Sequence, residues 1–97
     1  MCLPMKFEWD ENKNDANIKV HGIDFCDAHL IFDSPILVKI DNRKDYGEER
    51  LIGLGALYGA VVVIIFTKRE DAIRIISIRR ANQNERKIYQ EKVSQPH

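Results

Sequence analysis

The alternation of hydrophobic and polar positions predicts eight elements in the order β-α-α-β-β-β-β-α. The strongest signal comes from two neighbouring strands in the second half of the chain. Residues 61–66 form a continuous run of β-branched and aromatic side chains, which is typical of a strand buried on both faces. Residues 73–80 alternate after a charged turn at 68–71. Strict alternation places Arg74, Ile76, Ile78 and Arg80 on one face, and Ile73, Ile75, Ser77 and Arg79 on the other.

A short strand at 5–9 and a polar helix at 11–21 precede these strands. Asp10 is a suitable N-cap for the helix, and Gly22 ends it because glycine readily adopts the left-handed conformation of a C-cap. Only Ala16, Ile18 and Val20 can pack against a core. A helix this polar is weakly justified by burial, so its lysines, asparagines and terminal histidine are candidates for surface function.

The remaining pattern predicts two more helices and two more strands. Asp24 caps a second helix, whose apolar residues 25, 28 and 32 share one face. Strands follow at 36–40 and 48–57, with a charged loop at 41–47. Asn82 and Glu85 have the spacing of a capping box that begins the last helix. The order predicts an α+β fold, an antiparallel sheet of four to five strands with two N-terminal helices packed on it and a C-terminal helix, with the helices on one face.

Length and composition indicate one globular domain over residues 1–97, with an extension at 1–4 and a frayed tail at 94–97. Two cysteines, Cys2 and Cys26, are too few for a disulfide framework, and no histidine pair has metal-ligand spacing, so we expect neither metal nor cofactor. No secretory signal is recognisable, and the apolar run at 60–66 is too short to cross a membrane. We therefore expect a cytoplasmic protein that does not bind membranes.

The formal net charge is zero, but the charge is unevenly distributed along the chain. Residues 67–97 contain eight Lys and Arg against four acids, whereas residues 1–66 contain seven against eleven. A chain of this kind can present one basic face to a polyanion without being a basic protein.

Phosphate-binding glycine loops, dinucleotide motifs and nucleophile elbows are absent from the sequence. His21 and a set of Arg and Lys residues on separate elements remain, and this set suits metal-independent cleavage of RNA. The substrate's own 2′-hydroxyl is then the nucleophile, arginine pairs with the phosphate oxygens, and a His or Tyr transfers protons. The predicted catalytic residues are His21, Arg50, Arg79 and Arg80; the predicted RNA-binding residues are Lys13, Lys19, Lys68, Arg74 and Tyr89.

Each of these residues also has a structural interpretation. His21 lies in the last turn of a predicted helix, where a positive charge interacts favourably with the helix dipole. Arg79 and Arg80 at a strand end can pair with acids, Arg74 can protect a sheet edge, and Tyr89 can be a packing residue. Lys13 on a polar helix is commonly a solvated charge.

Three segments, 7–35, 45–55 and 66–89, together resemble the BrnT family of toxins from type II toxin–antitoxin modules. The matching positions include Trp9, Asp10, Lys13, Asn17, His21, Gly22, Gly47, Glu48, Arg50, Thr67, Arg74, Ser77, Arg79, Glu85 and Tyr89. The resemblance implies a small ribonuclease with a RelE-like fold. It also implies a BrnA-like antitoxin with a ribbon-helix-helix domain, DNA contacts made only through that antitoxin, and a toxin homodimer within a heterotetramer.

RelE-like ribonucleases differ in their catalytic residues, so the resemblance leaves the mechanism open. We expect a translation-inhibiting endoribonuclease that cleaves RNA by 2′-hydroxyl attack. The alternative is a non-catalytic partner in a DNA-binding repressor complex. An RNA-binding module without hydrolysis is a weaker alternative, because it would need aromatic residues exposed on the sheet.

Overall fold

The computed structural model describes residues 6–42 and 47–93. The predicted extension at 1–4, the predicted tail at 94–97 and part of the predicted loop at 41–47 lie outside the described residues. The predicted order of elements is confirmed. The elements are β1 Lys6–Trp9, α1 Glu11–His21, a 3₁₀ helix Phe25–Asp27, α2 Ala28–Phe32, β2 Leu37–Ile40, β3 Leu51–Leu57, β4 Ala60–Arg69, β5 Ala72–Arg80 and α3 Gln83–Val93.

The five strands form one sheet in the order β1-β5-β4-β3-β2. Strands β2 to β5 pair with their neighbours antiparallel, as the sequence predicts. The prediction of a wholly antiparallel sheet is wrong, because β1 pairs with β5 in parallel, with Lys6 opposite Ala72 and Trp9 opposite Ile75. This pairing joins segments that are more than 60 residues apart, and no local pattern signals it.

A β-bulge in β5 makes the prediction of strict alternation wrong. Ser77 pairs with Ile65 and Ile75 pairs with Phe66, so Ile76 is an extra residue. A bulge of this kind reverses the alternation of faces beyond it. Arg74, Ser77 and Arg79 therefore share one face of the sheet, while the buried Ile73, Ile75 and Ile78 share the other with Arg80.

Helices α1 and α2 and the 3₁₀ helix cover the face of the sheet that carries Ile75 and Ile78. The core there includes Phe25, Ile31 and Ile64, each fully buried. Gly55 allows α2 to approach closely, since a Cβ at that position would lie 2.6 Å from Ile31 Cγ2. The predicted second helix begins as the 3₁₀ helix, with Asp24 as its cap, and becomes α-helical at Ala28.

Helix α1 packs through two asparagines, so the prediction that Ala16, Ile18 and Val20 pack is wrong. Ile18 and Val20 are 39% and 74% exposed, whereas Asn14 and Asn17 are buried. The Asn17 side chain accepts a hydrogen bond from the amide of Ile78 at 3.2 Å and donates to the carbonyl of Ile78 at 2.9 Å. Strand β1 ends at Trp9, so it does not extend along β5 as far as Ile78. The Asn17 side chain instead bonds the backbone amide and carbonyl of Ile78. The asparagines are therefore structural.

Helix α3 lies on the opposite face, so the prediction of helices on one face is wrong. Its Glu85 binds Arg79, which projects from that face, and its buried Tyr89 donates a hydrogen bond to the carbonyl of Pro35 at 2.7 Å. Val63 is 1% exposed and also lies on this face, outside the main core cluster. The predicted capping box is confirmed, because the backbone amides and side chains of Asn82 and Glu85 exchange two bonds of 2.8 Å.

Candidate functional site

A row of polar side chains crosses the α3 side of the sheet near the ends of β3 and β4. Arg74 pairs with Glu8 on one side and with Thr67 on the other. Arg50 directly precedes β3, and it continues the register beside Thr67 because Leu51 pairs with Phe66. Paired residues on adjacent strands project to the same face of a sheet. We call Arg50, Thr67, Arg74 and Glu8 the arginine row.

Arg74 and Glu8 of the arginine row are accessible, whereas the Nε of Arg50 is buried. Arg74 Nη1 lies 3.5 Å from Glu8 Oε2, with the two side chains 34% and 43% exposed. An ion pair of this length and exposure contributes at most about 1 kcal/mol to stability. Arg74 can therefore exchange the carboxylate for a phosphate at little cost.

Thr67 lies between the two arginines and is almost completely buried. It is 1% exposed, and its Oγ1 has no hydrogen-bond partner among the residues that the structure describes. A buried hydroxyl without a partner costs about 1–3 kcal/mol. The arginine row thus contains a polar group whose hydrogen-bonding capacity the fold does not use.

Arg79 lies on the same face, where it pairs with Val63 of β4. Val63 is four residues from Thr67 along that strand. The Nη1 and Nη2 of Arg79 donate to the two carboxylate oxygens of Glu85 at 2.8 and 2.9 Å. These hydrogen bonds are the main reason that the pKa of Glu85 falls from 4.5 to about 2. The structural interpretation of Arg79 as the partner of an acid is therefore confirmed, and its side chain remains 37% exposed.

The structure places the other predicted catalytic residues elsewhere. His21 and Lys13 line a groove of about 330 Å³ on α1, together with Val20 and the bulge residue Ile76. Arg80 projects to the helix-covered face, where it borders a small cavity beside Asp27. The predicted site is thus divided, with Arg50, Arg74 and Arg79 on one face and His21 and Arg80 on others.

The predicted RNA-binding residues are divided in the same way. Lys19 is exposed on α1, and Lys68 is exposed near the end of β4, where it pairs with Ile73 of the helix-covered face. Tyr89 is 6% exposed and bonded to Pro35, so the interpretation of Tyr89 as a packing residue is confirmed. Arg74 alone of these residues belongs to the arginine row.

The sequence interpretation did not name Glu8 or Thr67 as site residues. Two signals were available for Thr67, because it follows an apolar run on β4 and is one of the positions that match the BrnT family. Glu8 gave no signal, because its position beside Arg74 depends on the parallel pairing of β1 with β5.

Among residues 6–42 and 47–93, no group of three or more His, Cys, Asp or Glu side chains is placed to hold a metal ion. In the same part of the chain, no helix has the length and apolar character needed to span a bilayer.

Comparison with protein families gives a match over most of the chain. The family described as "Ribonuclease toxin, BrnT, of type II toxin-antitoxin system" matches residues 9–85. The matched segment contains Arg50, Thr67, Arg74 and Arg79 and ends at Glu85, whereas Glu8 lies one residue before it. A search of curated proteins finds no match.

Proposed function

Because the chain belongs to the BrnT family of ribonuclease toxins from type II toxin–antitoxin systems, we propose that it is an endoribonuclease that binds RNA across the arginine row. The observation that supports this site is the gathering of Arg50, Arg74 and Arg79 on one face of the sheet from separate parts of the sequence. The arginines converge because a bulge in β5 brings Arg74 and Arg79 to the same side.

The proposed reaction needs no metal ion. The 2′-hydroxyl attacks the adjacent phosphorus, the bond to the 5′-oxygen of the next nucleotide breaks, and the products end in a 2′,3′-cyclic phosphate and a 5′-hydroxyl. One proton leaves the 2′-hydroxyl and one joins the 5′-oxygen, so no other reactant is required. The protein must position the phosphate and stabilise the negative charge that grows on its oxygens.

Arg50 and Arg74 are proposed to bind the scissile phosphate. They flank β4, so their backbones are two strand spacings apart, about 10 Å. Two side chains of this length can reach a phosphate placed above Thr67 from opposite sides. A planar guanidinium donates two parallel hydrogen bonds to phosphate oxygens, which makes arginine suited to this role. Arg79 is proposed to bind the neighbouring phosphate on the α3 side.

Glu8 is the group best placed to accept the 2′-hydroxyl proton. Its carboxylate lies beside Arg74 and is accessible. General-base catalysis by a positioned carboxylate contributes about 10²–10⁴-fold to the rate. His21 stays a prediction from the sequence. Its groove is lined by Ile76 of β5 and by residues of α1, and contains no member of the arginine row, so we propose that His21 and Lys13 contact a neighbouring nucleotide.

The direct test is to incubate the purified chain with RNA in the presence of EDTA. We expect cleavage that survives chelation and leaves 2′,3′-cyclic phosphate termini, detected by their resistance to ligation until the cyclic phosphate is removed. Absence of cleavage from a folded sample, with and without divalent ions, would support the alternative of a non-catalytic partner in a repressor complex.

Members of this family are the toxins of type II toxin–antitoxin systems. We propose that the antitoxin partner of this chain is a BrnA-like ribbon-helix-helix protein that binds DNA. Under this proposal the toxin alone does not shift operator DNA in a gel, and the heterotetramer of two toxins and two antitoxins does. A shift by toxin alone would contradict this assignment of roles.

A further inference from the structure

Strand β2 is the outermost strand of the sheet on the side away from β1. The amide of Asp41 donates to the carbonyl of Arg50 at 2.8 Å, so this position of the ladder faces β3. Because backbone direction alternates in an antiparallel strand, Leu37 and Lys39 also face β3, and the peptide groups of Val38 and Ile40 point away from it. The side chains of Val38 and Ile40 are 48% and 50% exposed. An outer strand with accessible apolar residues is a template for pairing with another chain.

A groove lies beside this edge, between β2, β3 and α3. It has a volume of about 530 Å³, and its apolar lining includes Leu37, Ile52, Leu54 and Ile88. Ile88 lines this groove and is 41% exposed. Partly exposed apolar residues gathered in a concave surface are typical of a protein interaction site.

The charged residues of the groove restrict what can occupy it. Lys39 and Lys92 line it, and the one carboxylate that the described residues contribute to the lining, Glu85, already binds Arg79. The unused charge is therefore positive. A second copy of this chain would place these lysines close to their own counterparts, which opposes association. An occupant with apolar and acidic side chains would match both the lining and the charge.

We propose that the antitoxin of this module docks here as an extended segment that adds a strand to β2. Its peptide groups would pair with those of Val38 and Ile40, its apolar side chains would fill the groove, and its acidic side chains would lie against Lys39 and Lys92. Strand addition gives affinity through main-chain hydrogen bonds and specificity through alternate side chains. The proposal depends on membership in a toxin–antitoxin family and not on the proposed cleavage mechanism.

The position of the groove also explains how such a segment could inhibit the toxin. Glu85 lines the groove and fixes Arg79, and Lys39 pairs with Ile52 on the face that carries the arginine row. A chain docked at β2 would therefore lie along one border of the proposed RNA site. It would exclude RNA from that border.

Hydrogen exchange of the toxin, free and in complex, tests the docking position. The probe is the full-length antitoxin of the module, co-expressed and purified with the toxin. We expect the Val38 and Ile40 amides to exchange rapidly in the free toxin and slowly in the complex, with the Leu37 and Lys39 amides protected in both. Protection of α1 or of the arginine row with β2 unchanged would overturn the proposal, as would a free toxin dimer in which β2 is already protected.

Two variants test the contacts by calorimetry. The double substitution Lys39→Glu and Lys92→Glu should weaken antitoxin binding about tenfold or more, from two charge pairs. Val38→Pro should weaken it as well, because proline removes an amide that points away from β3 and is tolerated at such positions. Lys19→Glu on α1 is the matched control and should bind normally. Normal binding by both edge variants would refute the docking position. It would not bear on the proposed RNA cleavage, which is measured separately.

Discussion

Arg79 and Glu85 are joined by two parallel hydrogen bonds of 2.8 and 2.9 Å, one to each carboxylate oxygen. The same carboxylate accepts a hydrogen bond from the backbone amide of Asn82 at 2.8 Å and so caps α3. One acidic side chain therefore holds the start of α3 over the sheet and fixes the direction of an arginine that borders the proposed site. This arrangement makes the position of α3 dependent on the charge of Glu85.

Glu85→Gln should destabilise the protein at neutral pH by about 1–2 kcal/mol, since Arg79 loses its charged acceptor. Glutamine can still complete the capping box, so the change isolates the charge. Arg79→Ala should cause a loss of similar size. Urea denaturation of both variants and of the unmodified chain at pH 7 measures this effect.

The same substitution should change the response to acid. The pKa of Glu85 is lowered in the folded state from 4.5 to about 2, so its stabilising contribution is complete above pH 4.5 and is lost as the pH falls towards 2. The free energy of unfolding should decrease more steeply between pH 4.5 and 2 for the unmodified chain than for Glu85→Gln. Equal slopes in urea titrations at pH 4.5, 3.5 and 2.5 would show that the ion pair is absent in solution.

Arg50→Ala and Arg74→Ala should each reduce RNA cleavage about 10²–10³-fold, the usual effect of removing a donor to a developing oxyanion. The matched control is Arg86→Ala on α3, whose guanidinium donates to the carbonyl of Ala81 and which lies outside the arginine row. Rates are measured on a short RNA under single-turnover conditions, with circular dichroism to verify folding. Full activity in both row variants would remove the basis for the proposed site.

Thr67→Val should raise stability and leave RNA cleavage nearly unchanged. Valine has nearly the same shape and removes a buried hydroxyl that has no partner within the described residues, so the free energy of unfolding should rise by about 1 kcal/mol. Cleavage should stay close to that of the unmodified chain, because Thr67 is 1% exposed and its buried hydroxyl does not reach the surface where RNA would bind. Thr67→Ser keeps the hydroxyl and should retain activity. A loss of stability in Thr67→Val would indicate that the hydroxyl has a structural partner in solution.

Glu8→Gln and His21→Asn distinguish the two candidates for proton transfer. We expect Glu8→Gln to lower kcat about 10²-fold, as expected for loss of a general base. His21→Asn should raise KM and leave kcat nearly unchanged, because the groove that His21 lines contains no residue of the arginine row. The reverse result would restore the role that the sequence suggested for His21.

Asn17→Ala should be among the most destabilising substitutions in α1, although Asn17 lies on a polar helix. It would leave the amide and carbonyl of Ile78 without partners in a buried environment, at a cost of about 3 kcal/mol. Val20→Ala on the same helix should change stability by less than about 0.5 kcal/mol, because Val20 is 74% exposed. Thermal and urea denaturation of the two variants compare them directly.

Local features of the fold were predictable from the sequence, and contacts across the sheet were not. Asp10, Gly22 and the Asn82–Glu85 pair act within one helical turn, so adjacent residues identified them. The bulge at Ile76 depends on the fit of β5 to β4, and it cannot be read from a strand that alternates in sequence.

Individual residues of the candidate site were predictable from the sequence, but their arrangement in space was not. Arg50, Arg74 and Arg79 were named from their charge and position, but their presence on one face depends on the bulge. His21 was named from its chemistry, and the packing of α1 through Asn17 places it on another surface.

The strand that is synthesised first is held by the strand that is synthesised last. During translation β1 leaves the ribosome without a neighbour, and it stays so until residues 72–75 of β5 follow. Those same residues carry Arg74. A ribosome that stops before codon 72 thus releases a fragment with an open sheet and an incomplete set of arginines. If the arginines cleave RNA, the cell that makes this toxin is exposed to it only after the codons of β5 have been translated.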